Sequence, residues 1–233
     1  SDGAWTPSFS SSTFDYAADA WGFTYGAAVE FNQPNWAVRT GYFLMPNESN
    51  GNVMDWNLFS RGGYVTELEA RYKAFERPGV AKVGAFLNSS FSGSYVDATA
   101  LARGAGITAD NTISQTRQTR IKYGYYVNLQ QELSEDVGAF ARWSWNNGQT
   151  EIMSFTDIDQ SLSFGTRLKG GLWGRPDDEI GLAIAVEIAD RDGPASALSH
   201  VRSDELPVRR SHSKIERACR PGQGAEEDGH FAA

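Results

Sequence analysis

The sequence of 233 residues contains one cysteine and three histidines. A single cysteine excludes an internal disulfide framework and a cysteine-rich zinc site, and so few histidines disfavour a histidine-based metal centre. The formal net charge of −8 argues against nucleic acid as a partner. No apolar run approaches the roughly 18 residues that indicate a membrane-spanning helix. The composition therefore predicts no metal and no other cofactor, but it leaves membrane-spanning β-strands open, since these need only about 9–11 residues with one apolar face.

The dominant pattern is a strict alternation of apolar residues with polar or small ones. In residues 21–31, for example, Trp21, Phe23 and Tyr25 share one face, whereas Gly22 and Thr24 share the other. Because successive side chains of a β-strand point to opposite faces, this period of two predicts strands. The predicted strands are 21–31, 36–45, 64–75, 80–90, 119–133, 137–146, 160–170 and 179–188.

The connections between these strands alternate in length. Short connections are predicted at 32–35, 76–79, 134–136 and 171–178, and long ones at 46–63, 91–118 and 147–159. Residues 95–103 are predicted to form a short helix within the second long connection. Short turns at one end and long loops at the other are typical of outer-membrane barrels. The sequence thus predicts an all-β protein: an antiparallel up-and-down transmembrane β-barrel, here with about eight strands, which is a partial barrel.

The two faces of the predicted strands differ in a way that favours a membrane over a soluble barrel or sandwich. The apolar face carries almost no charge, and its aromatic residues lie near strand ends, as expected at the two membrane interfaces. The other face combines glycine with long charged side chains. Such a face is unsuited to a dry core, where an unpaired charge costs several kcal/mol, but it suits a water-filled lumen.

Four segments carry a family resemblance. They are FDYAADAWGFTYGAAVEFNQPNWAVRTGYFLMPNESNG at 14–51, RGGYVTELEARY at 61–72, the run at 119–165 that contains WSWNNGQTE, and WGRPDDEIGLAIAV at 173–186. These segments resemble the carbohydrate-selective porins of Gram-negative outer membranes. The resemblance covers about residues 14–188. It implies a 16-stranded barrel in the cell outer membrane that passes sugars by diffusion and contacts outer-membrane lipid. A homo-oligomer is compatible with it.

The polar face then becomes a candidate path for carbohydrates. Sugar hydroxyl groups need hydrogen-bond donors and acceptors, and the C–H faces of sugars pack against aromatic rings. An alternative interpretation is that the charges pair across neighbouring strands and keep the wall wetted. The residues predicted to face the lumen are Arg39, Phe43, Glu67, Glu69, Arg71, Lys82, Phe86, Arg120, Lys122, Tyr126, Phe140, Arg142, Arg167 and Lys169.

The same residues are compatible with two other functions. Eight strands enclose an interior just wide enough for side chains to fill, so a small structural outer-membrane barrel without conduction is the first alternative. An outer-membrane hydrolase is the remote one, because Glu67 and Glu69 share a face as paired carboxylates do in glycosidases. Arg71 and Lys73 nearby favour ion pairs instead. No other catalytic set is evident, and we predict that the protein is not an enzyme.

The composition changes near residue 189. Every aromatic residue except Phe231 precedes this point, whereas Cys219 and all three histidines follow it. Residues 189–233 show no sustained period of either strand or helix. We therefore predict a partial porin barrel at 1–188 and a low-order tail at 189–233, which looks like disordered sequence or the product of a shifted reading frame. The chain as a whole resembles an internal fragment of a porin.

Overall fold

A computed structural model describes residues 13–107, 112–154 and 158–189 of the chain. Within these ranges the polypeptide forms eight β-strands, one α-helix and two short 3-10 helices. The strands are β1 (Gly26–Asn32), β2 (Trp36–Phe43), β3 (Gly62–Ala74), β4 (Arg77–Ser92), β5 (Gln118–Glu132), β6 (Val137–Asn146), β7 (Gln160–Lys169) and β8 (Glu179–Ile188). Helix α1 (Tyr95–Ala105) follows β4, and the 3-10 helices are Ile113–Thr116 and Gly170–Trp173. Within the described ranges, every helix is too short or too polar to cross a membrane.

The eight strands form one sheet in sequence order. Each strand pairs antiparallel with the next one along the chain, so β1 and β8 are the two edges. This confirms the predicted all-β, antiparallel up-and-down architecture. The predicted helix at 95–103 is present as α1, which begins after Ser94, whose side chain accepts a hydrogen bond from the backbone N–H of Asp97, and ends at Gly106 in the left-handed conformation.

Two predicted boundaries are corrected by local turn chemistry. Strand β1 begins at Gly26 rather than at residue 21, because the carboxylate of Asp19 accepts hydrogen bonds from the backbone N–H groups of Trp21 and Phe23 at 2.9 and 2.8 Å. Such a turn replaces the first part of the strand. The predicted short turn at 76–79 lies earlier: Phe75 and Glu76 have φ values of 53° and 61° and form a two-residue hairpin connection.

One face of the sheet is apolar and exposed. A single row of register partners crosses all eight strands on this face, and most of its members are exposed, while the valines of β2 and β5 are half-buried. Side chains in such a row are cross-strand neighbours on the same face. The row consists of Phe31, Val38, Leu68, Val83, Val127, Trp143, Leu162 and Val186.

The opposite face, called here the shielded face, is polar and less exposed. A second row of register partners crosses this face, and each of its members is the chain neighbour of a residue in the apolar row. The row consists of Asn32, Ala37, Glu69, Lys82, Asn128, Arg142, Ser163 and Ala185. Residues 13–18 and the connection at 147–154 lie against the part of this face nearest the long connections. The division at residue 189 stays a prediction, because residues 190–233 lie outside the described ranges.

Candidate functional site

A network of ion pairs occupies the shielded face on β1 to β4. It is centred on Arg39 of β2, whose guanidinium contacts Glu30 at 3.0 Å, Glu67 at 2.7 Å and Glu69 at 2.8 Å. The hydroxyl of Tyr126 on β5 donates a hydrogen bond to Glu67. Strand pairing places these side chains together, since Arg39 lies directly between Glu30 and Glu67 in the register. The predicted cross-strand pairing of charges is therefore present.

Glu69 is the most shielded carboxylate of this network. Its side chain is 8% exposed and contacts Arg71 at 2.7 Å and Lys82 at 3.4 Å as well as Arg39. Three cations thus face three carboxylates, and the charges balance. Glu67 and Glu69 are both held by cations, as expected for members of an ion-pair network.

Arg142 on β6 has a different environment from the arginines of the network. It is 7% exposed, and its guanidinium carbon lies 4.8 Å from the centre of the Phe140 ring, in a cation–π contact. Its Nε and Nη1 atoms are buried without a hydrogen-bond partner among the described residues, and so is Oδ1 of Asn128, its register partner on β5. On the shielded face, these two neighbouring side chains therefore have hydrogen-bonding atoms that are not satisfied by the described residues.

The N-terminal residues fold onto the shielded face near the long connections. Asp15 accepts hydrogen bonds from the backbone N–H groups of Met153 and Ser154, at 2.6 and 3.3 Å, and from the amide of Asn88 at 3.2 Å. Burial raises the pKa of Asp15 above the ordinary carboxyl range. The ring of Phe14 packs on Phe86 of β4 with centroids 4.6 Å apart. A segment distant in sequence therefore covers this part of the polar wall.

Two predicted lumen cations are held by connections rather than by the strands. Lys122 of β5 is 2% exposed and donates a hydrogen bond to the carbonyl of Thr150 at 3.1 Å. Arg120 contacts Asp97 of α1 at 2.6 Å. Both side chains thus fasten the long connections to the sheet.

The other predicted residues lie at the two ends of the shielded face. Arg167 and Lys169 of β7 are near the short connections, and Arg167 contacts Glu179 of β8 at 3.5 Å. Phe43 ends β2 at the long-connection end, where its ring approaches Gly41. All fourteen predicted residues belong to this face, but they form separate groups rather than one cluster.

Comparison with known proteins identifies the family. The sequence profile of the family described as "Carbohydrate-selective porin, OprB family" matches residues 3–205. The chain belongs to the carbohydrate-selective porin family. A search of the solved structures finds OprB of Pseudomonas putida, described as a high pH structure, with a TM-score of 0.54 and 19% sequence identity. The match covers 70% of this chain and 39% of that chain, so the chain spans well under half of the matched porin. Among curated proteins there is no significant match.

The porin sheet also uses residues that sequence reasoning missed. Arg117 holds Glu151 through two contacts of 2.9 Å, and the Glu151 carboxylate accepts a further bond from the backbone N–H of Gly93 at 2.7 Å. The bond to Glu151 raises the pKa of Arg117.

Burial acts to raise the pKa of Asp55, but hydrogen bonds from Asn57 and Arg61 lower it overall. These residues lie in the connections between strands, where no regular alternation of apolar and polar residues predicts which side chains meet. The sequence signal is the presence of charged residues in and near the segment WNNGQTE.

Proposed function

We propose that the chain forms part of the wall of an outer-membrane pore through which carbohydrates diffuse passively. The observation that carries this proposal is the pair of adjacent rows across the sheet, one apolar and exposed, the other polar and shielded. In a barrel placed in a membrane, the apolar row faces lipid and the polar row faces the lumen. Membership of the carbohydrate-selective porin family supports this placement in the Gram-negative outer membrane.

The chemistry of the shielded face suits neutral, hydroxyl-rich solutes. The ion-pair network around Arg39 presents donors and acceptors side by side, as hydroxyl groups require. Because acidic and basic groups balance within it, a pore with this wall has only modest preference for anions or cations. The fourteen residues predicted from the sequence make up the proposed sugar path, and Arg142 enters it with Nε and Nη1 lacking a hydrogen-bond partner among the described residues.

Reconstitution in lipid tests the proposal. Assembled as part of a closed barrel in liposomes, the protein is expected to admit neutral monosaccharides faster than larger oligosaccharides, as measured by liposome swelling. Arg142→Ala and Arg167→Ala should change the rate ratios between sugars without changing the folded fraction, since lumen substitutions tune selectivity. Arg175→Ala is the matched control, because its side chain is 73% exposed and pairs only locally with Asp178.

A correctly folded, closed barrel that contains these strands and passes no sugar in this assay would refute the transport proposal. That result would favour the structural barrel without conduction, for which the packing of Phe14 and Asp15 against the shielded face is the supporting observation.

A further inference from the structure

A cavity of about 200 Å³ lies on the shielded face near the short connections, beside the Arg71 end of the ion-pair network, since Val80 in its lining is the register partner of Arg71. Strands β4 to β7 form its floor. Two neighbouring register rows line it: Val80, Gln130 and Phe140 belong to one, and Glu132, Gly138 and Arg167 to the other. The cavity is partly open rather than enclosed.

The cavity exists because a glycine stands where the row would otherwise carry a side chain. A Cβ atom placed on Gly138 would meet nothing nearer than 3.8 Å, and the atom at that distance is Nε of Arg167. On one side of this space the ring of Phe140 lies between the guanidinium of Arg142 and the backbone at Gly165.

The polar groups of the cavity match a polyol. The Gln130 amide and the Glu132 carboxylate have no side-chain hydrogen-bond partner among the described residues, and both line the cavity. Arg167 supplies donors, and its contact with Glu179 is long at 3.5 Å. An amide, a carboxylate and a guanidinium together offer donors and acceptors on three sides, while Phe140 offers an apolar wall. Hydroxyl groups, which both donate and accept, satisfy such a set.

We propose that this cavity binds one neutral monosaccharide unit; the proposal rests on the proposed function and gives the pore wall a discrete binding site. Its volume is below the roughly 300–1,000 Å³ of sites for drug-sized ligands and equals that of about seven water molecules. One pyranose ring with its hydroxyl groups fits this range, whereas a disaccharide must extend into the lumen. The carboxylate of Glu132 disfavours sugar acids.

The test measures equilibrium binding of D-glucose to the protein in lipid nanodiscs by saturation-transfer NMR. Gln130→Ala, which removes an amide, and Glu132→Gln, which replaces one carboxylate acceptor oxygen by an NH2 donor, should each raise the Kd by about 3- to 10-fold. Gly138→Leu, which fills the cavity, should abolish binding. Gln160→Ala, an exposed glutamine of β7, and Glu135→Gln, whose side chain is 84% exposed, are the controls and should bind glucose as the unchanged protein does. Gluconate should bind more weakly than glucose.

The outcomes separate this proposal from the transport proposal. If the protein passes glucose in liposomes but Gln130→Ala, Glu132→Gln and Gly138→Leu leave the Kd unchanged, the cavity is not the binding site and the transport proposal stands. If the protein passes no sugar but glucose binding is lost in these variants, the binding site stands and transport fails. Absence of saturable glucose binding by the unchanged protein overturns the site. Should Gly138→Leu fail to fold, the two polar variants decide.

Discussion

Replacing Glu69 by glutamine tests whether the ion-pair network stabilises the sheet. Glu69 is 8% exposed and holds Arg39, Arg71 and Lys82, whose side chains are 33%, 33% and 29% exposed. Removing one partner of a fully buried pair costs about 3–5 kcal/mol. Because solvent screens the three cations in part, we expect Glu69→Gln to lower the free energy of unfolding by about 1–3 kcal/mol.

The assay is equilibrium unfolding of the protein in lipid bilayers with urea. With a denaturant slope of about 2 kcal/mol per molar, the expected loss lowers the midpoint by roughly 0.5–1.5 M. Glu135→Gln, at an exposed pair of 3.7 Å, should change the free energy by less than about 0.5 kcal/mol. Glu69→Gln should also shift the reversal potential toward anion selectivity, since it leaves the network with one positive charge in excess. Equal stability of the two variants would show that the network contributes no net stabilisation.

Three further predictions follow from the faces and the connections. Leu182→Arg on the exposed face should lower the free energy of unfolding in lipid by about 2–4 kcal/mol at the bilayer midplane, whereas Phe75→Arg in the β3–β4 turn should change it little; equal losses would contradict the lipid-facing assignment. Asn88→Ala removes an amide that donates to the backbone of the N-terminal segment, so amide exchange at residues 13–18 should accelerate while strand protection persists; unchanged exchange would contradict this. The lowered pKa of Asp55 means that its contacts with Asn57 and Arg61 stabilise the fold above the ordinary carboxyl value of about 4, and this contribution is lost as the pH falls through the lower folded-state pKa; an NMR titration giving an ordinary pKa would refute it.

The strands were predictable because each carries its pattern locally. Strands β6 and β8 match the predicted bounds 137–146 and 179–188, and most other bounds differ by one to three residues. The exception at the start of β1 depends on the Asp19 carboxylate, which a period of two does not reveal. Local side-chain hydrogen bonds of this kind compete with strand pairing. Whether they form depends on the three-dimensional position of the side chain, which the sequence pattern does not give.

The candidate site was predictable only as a face. Alternation assigns Arg39, Glu69 and Arg142 to one side of the sheet, but register decides which of them meet. The register places Glu69 among three cations, whereas Arg142 lies against the Phe140 ring. The cavity beside Gly138 could not be predicted either, because an open space results from the absence of a side chain in a row that several strands share.

The hydrogen bonds of Asp15 have a consequence for the order of folding. All strand pairs join neighbours along the chain, so each hairpin can form as soon as its two strands exist. The bonds from Asp15 to Met153 and Ser154 instead close a loop of 138 and 139 residues. Such a contact gains nothing until the strands between are paired, since the entropy of closing the loop must be offset first. The segment around Asp15 is therefore expected to dock only after the strands between have paired, and unfolding is expected to begin with its release.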